Sequence, residues 1–130
     1  MACAYGVEPI VERLVAAGAD VNSINSHGFS CLLEACHRGF GKIVSFLCRS
    51  RDLDLGYIPG EEESRNSPFS CAPCQHALGE AARCGFHQIV QTLLDAGADK
   101  EQTNSIGWSA LHEACFYNRK ETVKILVIKL

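Results

Sequence analysis

The sequence has no apolar run of the ~18 residues that a membrane-spanning helix needs. Residues 1–6 lack a basic segment followed by an apolar core, so no secretory signal peptide is predicted. Basic residues are not in excess, because 12 Lys and Arg face 15 Asp and Glu and give a net charge of −3. A surface for nucleic acid usually needs a basic excess. The composition therefore predicts a soluble protein that binds neither membranes nor nucleic acid.

The chain does contain a repeat. A turn residue precedes an apolar helical pattern at Gly6, Gly39, Gly85 and Asn118, and these four positions are separated by 33, 46 and 33 residues. The middle interval is longer than the others by 13 residues. One period therefore governs the chain, and an insertion lies between Gly39 and Gly85. Self-similarity at such a period is typical of stacked repeat architectures.

Two sequence patterns recur with this period. In 85–99 the apolar residues fall on one face of a helix, and Gly97 follows where a left-handed residue would end it. The stretch 6–20 carries the same pattern. The segments Asn25–Gly28 and Asn104–Gly107 both read Asn-Ser-X-Gly, a polar and turn-rich composition that predicts hairpin tips.

The residues after each hairpin resemble the ankyrin repeat, whose first helix opens with Thr-Pro-Leu-His. Ser109-Ala110-Leu111-His112 is the best copy, Ser30-Cys31-Leu32-Leu33 lacks the His, and His76-Ala77-Leu78-Gly79 keeps only the Leu. Gly-Ala-Asp follows the second helix at 18–20 and 97–99. The resemblance covers almost the whole chain and implies an all-α solenoid of stacked helix-turn-helix units with hairpin loops and one long inserted loop.

In this register the chain is a single ankyrin-repeat domain. It comprises a partial repeat (1–22), a repeat (23–55), an inserted loop (56–75), a second repeat (76–103) and a third repeat (104–130) that stops before its Gly-Ala-Asp. Both ends interrupt a repeat, so we expect further repeats to flank this stretch in the parent protein. One helix pair cannot bury its apolar face alone, and stacked pairs share it. The predicted core spine is Leu32, Ala35, Leu47, Leu78, Ala81, Leu93, Leu111, Ala114 and Leu126.

Eight cysteines are present, but their positions argue against a disulfide framework. Cys36 and Cys115 stand where the repeat requires a small apolar residue, and Cys48 and Cys84 also lie in predicted helices. A thiol in such a position acts as a small hydrophobe in a reduced protein. We therefore expect a cytoplasmic protein, with the nucleus as a second compartment, and no cofactor.

Enzyme motifs are absent from the sequence, which contains no Gly-rich phosphate loop, no His-Glu-X-X-His and no Gly-X-Ser-X-Gly. His112 could pair with Glu113 and Cys115 in a nucleophilic set. In the resembled family, however, this His ties down the hairpin by hydrogen bonds. We therefore predict that the chain is not an enzyme.

The resemblance implies that a partner binds the concave face, which consists of the hairpin tips and the exposed side of the first helices. The matching positions are His27, Phe29, His37, Arg38, Arg83, Ser105, Ile106, Trp108, Phe116 and Tyr117. Ile106 and three aromatic residues in one unit are typical of binding hot spots. Alternatively, Trp108 and Phe116 fold back onto neighbouring hairpins as structural residues.

The inserted loop contains a Cys-X-X-Cys pair, Cys71 and Cys74, followed by His76. This spacing suits two ligands of one tetrahedral zinc ion. A structural zinc site needs four ligands, and no second pair follows at finger spacing. A metal site here is therefore a weak hypothesis beside an unpaired thiol pair, and a redox pair is a third possibility.

These observations favour a protein-interaction module that binds another protein or peptide through its concave face, with Ser105–Tyr117 as the anchor. The alternative is a substrate-recruiting or regulatory segment of a larger multidomain enzyme, whose catalytic domain lies outside this chain.

Overall fold

The computed structural model describes residues 13, 17–18, 20–24, 29–50, 53–58 and 76–128. Within these ranges the chain forms six α-helices. They are α1 (Cys31–Arg38), α2 (Gly41–Leu47), α3 (Ala77–Cys84), α4 (His87–Asp95), α5 (Ala110–Phe116) and α6 (Lys120–Ile128). Most of the second helix predicted for the partial repeat lies outside the described residues, as do His27 and residues 59–75 of the inserted loop with Cys71 and Cys74.

The helices form two parallel rows. The first helices α1, α3 and α5 contact one another in sequence, and the second helices α2, α4 and α6 do the same. Each first helix also packs against the second helix of its own pair. No helix of the described part is long and apolar enough to cross a membrane. The all-α stacked architecture predicted from the repeat is thus confirmed.

Each first helix follows an extended residue, and a side chain at the start of the helix accepts a hydrogen bond from a free backbone N–H. The Oγ of Ser30 accepts a hydrogen bond from the Leu33 N–H at 3.2 Å. At α5, the Ser109 N–H donates to Nδ1 of His112 at 3.2 Å. Isolated antiparallel bridges join Ile24 to Ser30 and Thr103 to Ser109 and close the hairpins before α1 and α5. The polar residues at the hairpin ends therefore fix where the helices start.

The turn between the two helices of a pair is glycine for two physical reasons. Gly39 and Gly85 are left-handed, with φ of 78° and 79°. A side chain at either would also collide with the following unit, because a Cβ at Gly39 would lie 2.9 Å from Phe86 and one at Gly85 would lie 2.8 Å from Arg119. Asn118, at the equivalent position of the third unit, has a φ of 58°, a conformation that Asn tolerates.

The buried residues follow the predicted register. Ile43, Ile89 and Thr122 are each the third residue of a second helix, and all three are buried. Leu47, Leu93 and Leu126 are buried one helical turn later. Equivalent residues therefore occupy equivalent places in successive helices, which is the central requirement of a repeat stack.

The prediction that Leu111 belongs to the core is wrong. Leu32 and Leu78 are each only 1% exposed, but the equivalent Leu111 is 39% exposed. The leucines of α1 and α3 are covered by the next first helix, whereas no described helix stacks on that side of α5. The exposure of Leu111 thus follows from its place in the stack and not from its place in the repeat.

We predict that Leu78→Ala and Leu111→Ala lower the free energy of unfolding by different amounts, although they change the same position of the repeat. Leu78→Ala opens a cavity in a fully packed site and should lower the free energy of unfolding by ~2–5 kcal/mol. Leu111→Ala should cost less than half as much, since its side chain is already partly hydrated. Urea denaturation of the two variants measures both values, and equal losses would contradict the assigned stacking.

Gly39→Ala should destabilise the fold more than Gly97→Ala. Both residues have positive φ, so each substitution has a backbone cost of ~1–2 kcal/mol. A Cβ at Gly97 meets nothing within 4 Å, whereas one at Gly39 meets the Phe86 ring. Thermal melts should show the larger loss for Gly39→Ala, and Phe86→Leu should recover part of it. Identical melting temperatures for the two glycine variants would refute the packing argument.

Candidate functional site

The predicted anchor is a set of touching aromatic rings at the end of α5. Phe116 lies between Trp108, at a ring-centroid distance of 5.1 Å, and Tyr117, at 5.0 Å in an edge-on arrangement. Trp108 also stacks on His112 at 6.4 Å. We call Trp108, His112, Phe116 and Tyr117 the aromatic cluster. Such ring pairs contribute ~0.5–1.5 kcal/mol beyond burial, so the cluster is partly self-supporting.

Asn104 holds the hairpin that presents Trp108. Its Oδ1 accepts hydrogen bonds from the N–H groups of Ile106 and Trp108, each at 3.0 Å. Its Nδ2 donates to Oε1 of the buried Glu113 at 2.8 Å. A buried amide with these partners fixes the loop on the helix beneath it. The conformation of the tip is therefore set by hydrogen bonds, while Trp108 itself remains half-buried.

A second set of predicted residues forms a charged network between α1 and α3. Nδ1 of His37 lies 2.6 Å from Oε1 of Glu80. The guanidinium of Arg83 binds the same carboxylate, with Nε 3.3 Å from Oε2. The Cys84 thiol donates to Oε1 at 3.7 Å. We call His37, Glu80, Arg83 and Cys84 the His37 network.

These contacts change the acid–base behaviour of the network. Hydrogen bonds to Cys84 and Glu80 raise the pKa of His37 to about 9, against the opposing effect of burial. Burial opposes the ionisation of Glu80, but hydrogen bonds from His37 and Arg83 outweigh it and lower the pKa of Glu80. At neutral pH the network therefore contains an imidazolium, a guanidinium and one carboxylate.

The other predicted binding residues lie apart from these two groups of side chains. Arg38 is exposed, and its Nε lies 3.3 Å from Oε2 of Glu34 in the same helix. Phe29 is half-buried against the core. Ser105 and Ile106 are exposed on the hairpin that precedes α5. The structure thus gathers the third-unit aromatic residues and, separately, His37 with Arg83.

His76 has a different role from the one suggested by the Cys71–Cys74 pattern. It is completely buried, and it caps α3 because its Nδ1 accepts from the Gly79 N–H at 3.1 Å. Its Nε2 lies 3.1 Å from the Gln102 carbonyl oxygen. Burial also lowers the pKa of His76. Since both ring nitrogens are in hydrogen bonds, His76 has no free nitrogen for a metal. The structure therefore contradicts the hypothesis that His76 is a metal ligand.

The nucleophilic set considered at 112–115 is not assembled. Nδ1 of His112 is bonded to Ser109, and Glu113 is bonded to Asn104. The imidazole and the carboxylate therefore stabilise the start of α5 and the hairpin. This is the structural role that the family resemblance implied for His112.

Sequence reasoning missed the acidic residues that organise these contacts. Glu34, Glu80 and Glu113 occupy the same position of the three first helices, and all are buried. These carboxylates bind different side chains: Glu34 binds Arg38, Glu80 binds His37 and Arg83, and Glu113 binds Asn104. The recurring Glu-Ala pair in the sequence was the available signal, since a buried carboxylate requires partners.

Comparison with known families places this geometry in context. The model of the family described as ankyrin repeats (3 copies) matches residues 1–99 and 64–130. The chain belongs to the ankyrin repeat family. Members of this family are generally protein–protein interaction modules.

Several relatives are much longer proteins. A Caenorhabditis briggsae ankyrin repeat and KH domain-containing protein is 35% identical over 101 residues, which are 76% of this chain and 3% of that protein. Human ankyrin repeat domain-containing protein 40 is 46% identical over 62 residues, 46% of this chain and 17% of that protein. Glycerophosphocholine phosphodiesterase gde1 of Schizosaccharomyces pombe is 28% identical over 112 residues, 86% of this chain and 9% of that enzyme. The chain thus spans a small part of each.

The His37 network should make stability depend on pH. His37 holds its proton more tightly when folded, with a pKa of about 9 against 6.5, so its contribution is complete below pH 6.5 and is lost as the pH rises through 9. We expect the wild-type chain to lose roughly 1 kcal/mol more than His37→Gln across this range, since solvent that reaches the half-buried His37 screens the pair. Urea denaturation with a chelator and a reductant measures this difference.

His87→Gln is the matched control, because His87 is an exposed histidine at the start of α4. This variant should follow the wild-type pH profile. If His37→Gln and the wild-type chain lost stability in parallel, the ion pair with Glu80 would contribute nothing to the fold.

Proposed function

We propose that this chain binds a partner protein or peptide through the surface between Ser105 and Tyr117. The observation that carries the proposal is the exposure of large apolar side chains on one rigid patch. Phe116 is 67%, Ile106 58% and Tyr117 41% exposed. Apolar groups in such numbers at one place mark interaction sites more often than a solvated surface.

The patch has the physical properties of a binding anchor. Aromatic side chains carry much of the energy in protein interfaces because they bury large areas at little entropic cost. Here the rings of Trp108, Phe116 and Tyr117 already contact one another. The bonds of Asn104 hold the adjacent hairpin. A partner would therefore meet a pre-organised surface and lose little energy in ordering it.

Residues of the first and second units extend the proposed surface along the row of first helices. Arg38 and His37 lie on α1, and Arg83 lies on α3 next to the third unit. His37 and Arg83 are both bound to Glu80, so their contacts with a partner would be made as members of that network. Arg38 is the more exposed cation and the better candidate for a direct contact. His27 and Phe29 complete the proposed surface.

The state of the cysteines supports a reducing compartment. Among the described cysteines, Cys36, Cys48, Cys84 and Cys115 are free thiols. Disulfides form and persist in oxidising compartments and are rare in the cytosol and nucleus. We therefore propose the cytoplasm as the working location, with the nucleus as the alternative.

A second function is favoured by one relative. The similarity to a short part of gde1, which is named as a phosphodiesterase, supports a regulatory or substrate-recruiting segment of a larger enzyme. The same surface would then bind a substrate protein or another domain. Sequencing the full-length transcript decides between the two, because a catalytic domain in the same reading frame would favour the second.

The double variant Phe116→Ala/Tyr117→Ala should weaken binding of the partner roughly 30-fold or more, since central aromatic anchors contribute about 2 kcal/mol or more. Partners are captured from extract on the wild-type chain, and Kd is then measured with the purified partner. Fold should be retained because both side chains are exposed, and circular dichroism checks this.

Ile128→Ala serves as the matched control, since Ile128 is an exposed apolar residue of α6 outside the proposed surface. This variant should bind like the wild type. An unchanged Kd for the folded double variant, or an equal loss for Ile128→Ala, would place the binding surface elsewhere.

A further inference from the structure

Three side chains of the His37 network bring metal-binding atoms together. An imidazole nitrogen of His37, a carboxylate oxygen of Glu80 and the sulfur of Cys84 all lie within 4.8 Å of one another. Glu80 and Cys84 are four residues apart on α3 and so share one side of that helix. His37 reaches them from α1 of the preceding unit. In the described part of the chain this is the one cluster of its kind.

We propose that His37, Glu80 and Cys84 form a zinc site, with a water molecule or a group of a binding partner as the fourth ligand. The donor set points to zinc because thiolate and imidazole ligands suit zinc and do not suit magnesium or calcium. Three protein ligands with one open position are a common arrangement for this ion. His37 and Cys84 are half-buried, so solvent reaches the site.

One of the distances between the donors matches what zinc requires, and a second is shorter. Tetrahedral zinc with ordinary Zn–S and Zn–O bonds separates sulfur and oxygen by about 3.6 Å, and the Cys84 Sγ–Glu80 Oε1 distance is 3.7 Å. Nitrogen and oxygen ligands would lie about 3.4 Å apart, whereas Nδ1 of His37 is 2.6 Å from Oε1. The imidazole must therefore withdraw by somewhat less than 1 Å, a movement that a half-buried side chain can make.

Arg83 would hold the carboxylate in place. Its Nε lies 3.3 Å from Oε2 of Glu80, and its Nη2 binds Oε1, the oxygen that His37 and Cys84 also contact. For zinc to bind, Nη2 must leave Oε1, and the retained bond from Nε to Oε2 would then turn Oε1 toward the metal, as outer hydrogen bonds orient ligands in many metal sites. Zinc would take the place of the proton shared by His37 and Glu80 and of the thiol proton.

The next interface supplies an internal comparison. The positions of His37, Glu80 and Cys84 recur one unit later as Arg83, Glu113 and Tyr117. These three positions have a carboxylate but neither an imidazole nor a thiol, so they cannot bind zinc in the same way. The proposed site is therefore a property of the first interface and not a general consequence of repeat stacking.

Cobalt(II) is the probe for the test, since a thiolate ligand gives it a strong near-ultraviolet charge-transfer absorption. The reduced 130-residue chain should show this absorption at one cobalt per chain, and one equivalent of zinc should abolish it. The signal should disappear in Cys84→Ser and should remain in Cys71→Ser/Cys74→Ser, the control for the Cys-X-X-Cys pair. Glu80→Gln and His37→Gln should each raise the Kd for zinc at least tenfold.

Folding is checked separately by thermal melts in a chelator, where Cys84→Ser should melt like the wild type. Adding zinc should raise the melting temperature of the wild type and leave that of Cys84→Ser unchanged. The proposal fails if the wild type shows no charge-transfer absorption, if the absorption survives in Cys84→Ser, or if it is lost in Cys71→Ser/Cys74→Ser. The last result would assign metal binding to the inserted loop.

Discussion

Contact between successive helix pairs is the interaction on which this structure depends. Leu32 and Leu78 are buried, and each lies in a first helix against which the next first helix packs. The close approach also explains the turn glycines, since Phe86 and Arg119 lie where side chains at Gly39 and Gly85 would be. Stability in such a stack accumulates from neighbouring interfaces, so each unit is stabilised by contacts with the units beside it.

The same stacking produces the polar chemistry of the chain. His37 and Glu80 are separated by 43 residues along the sequence, and they meet because their helices are neighbours in the first row. The carboxylate position is constant from unit to unit, whereas the positions three and four residues later change from His37-Arg38 to Arg83-Cys84 and then to Phe116-Tyr117. Repeated geometry with variable side chains therefore gives each interface a different set of contacts.

Much of the fold follows from the sequence because the repeat is local. The spacing of Ile89, Val90 and Leu93 defines a helix face within one segment, and the 33-residue period transfers this assignment to the other units. The role of His76 could not be predicted from the sequence, because its imidazole is bonded to Gln102, which lies 26 residues away in the next hairpin. Leu111 was misassigned for a similar reason, because its burial depends on a neighbour and not on its own helix.

The sequence by itself determined the helix pairs, the turn positions and the apolar face of each helix, since these depend on residues a few positions apart. Only the tertiary structure decided which polar side chains meet, because partners such as His37 and Glu80 are brought together by packing between units. It also decided that Phe116 remains exposed while Trp108 is half-buried. Exposure is a property of the assembled stack, and no spacing within one unit encodes it.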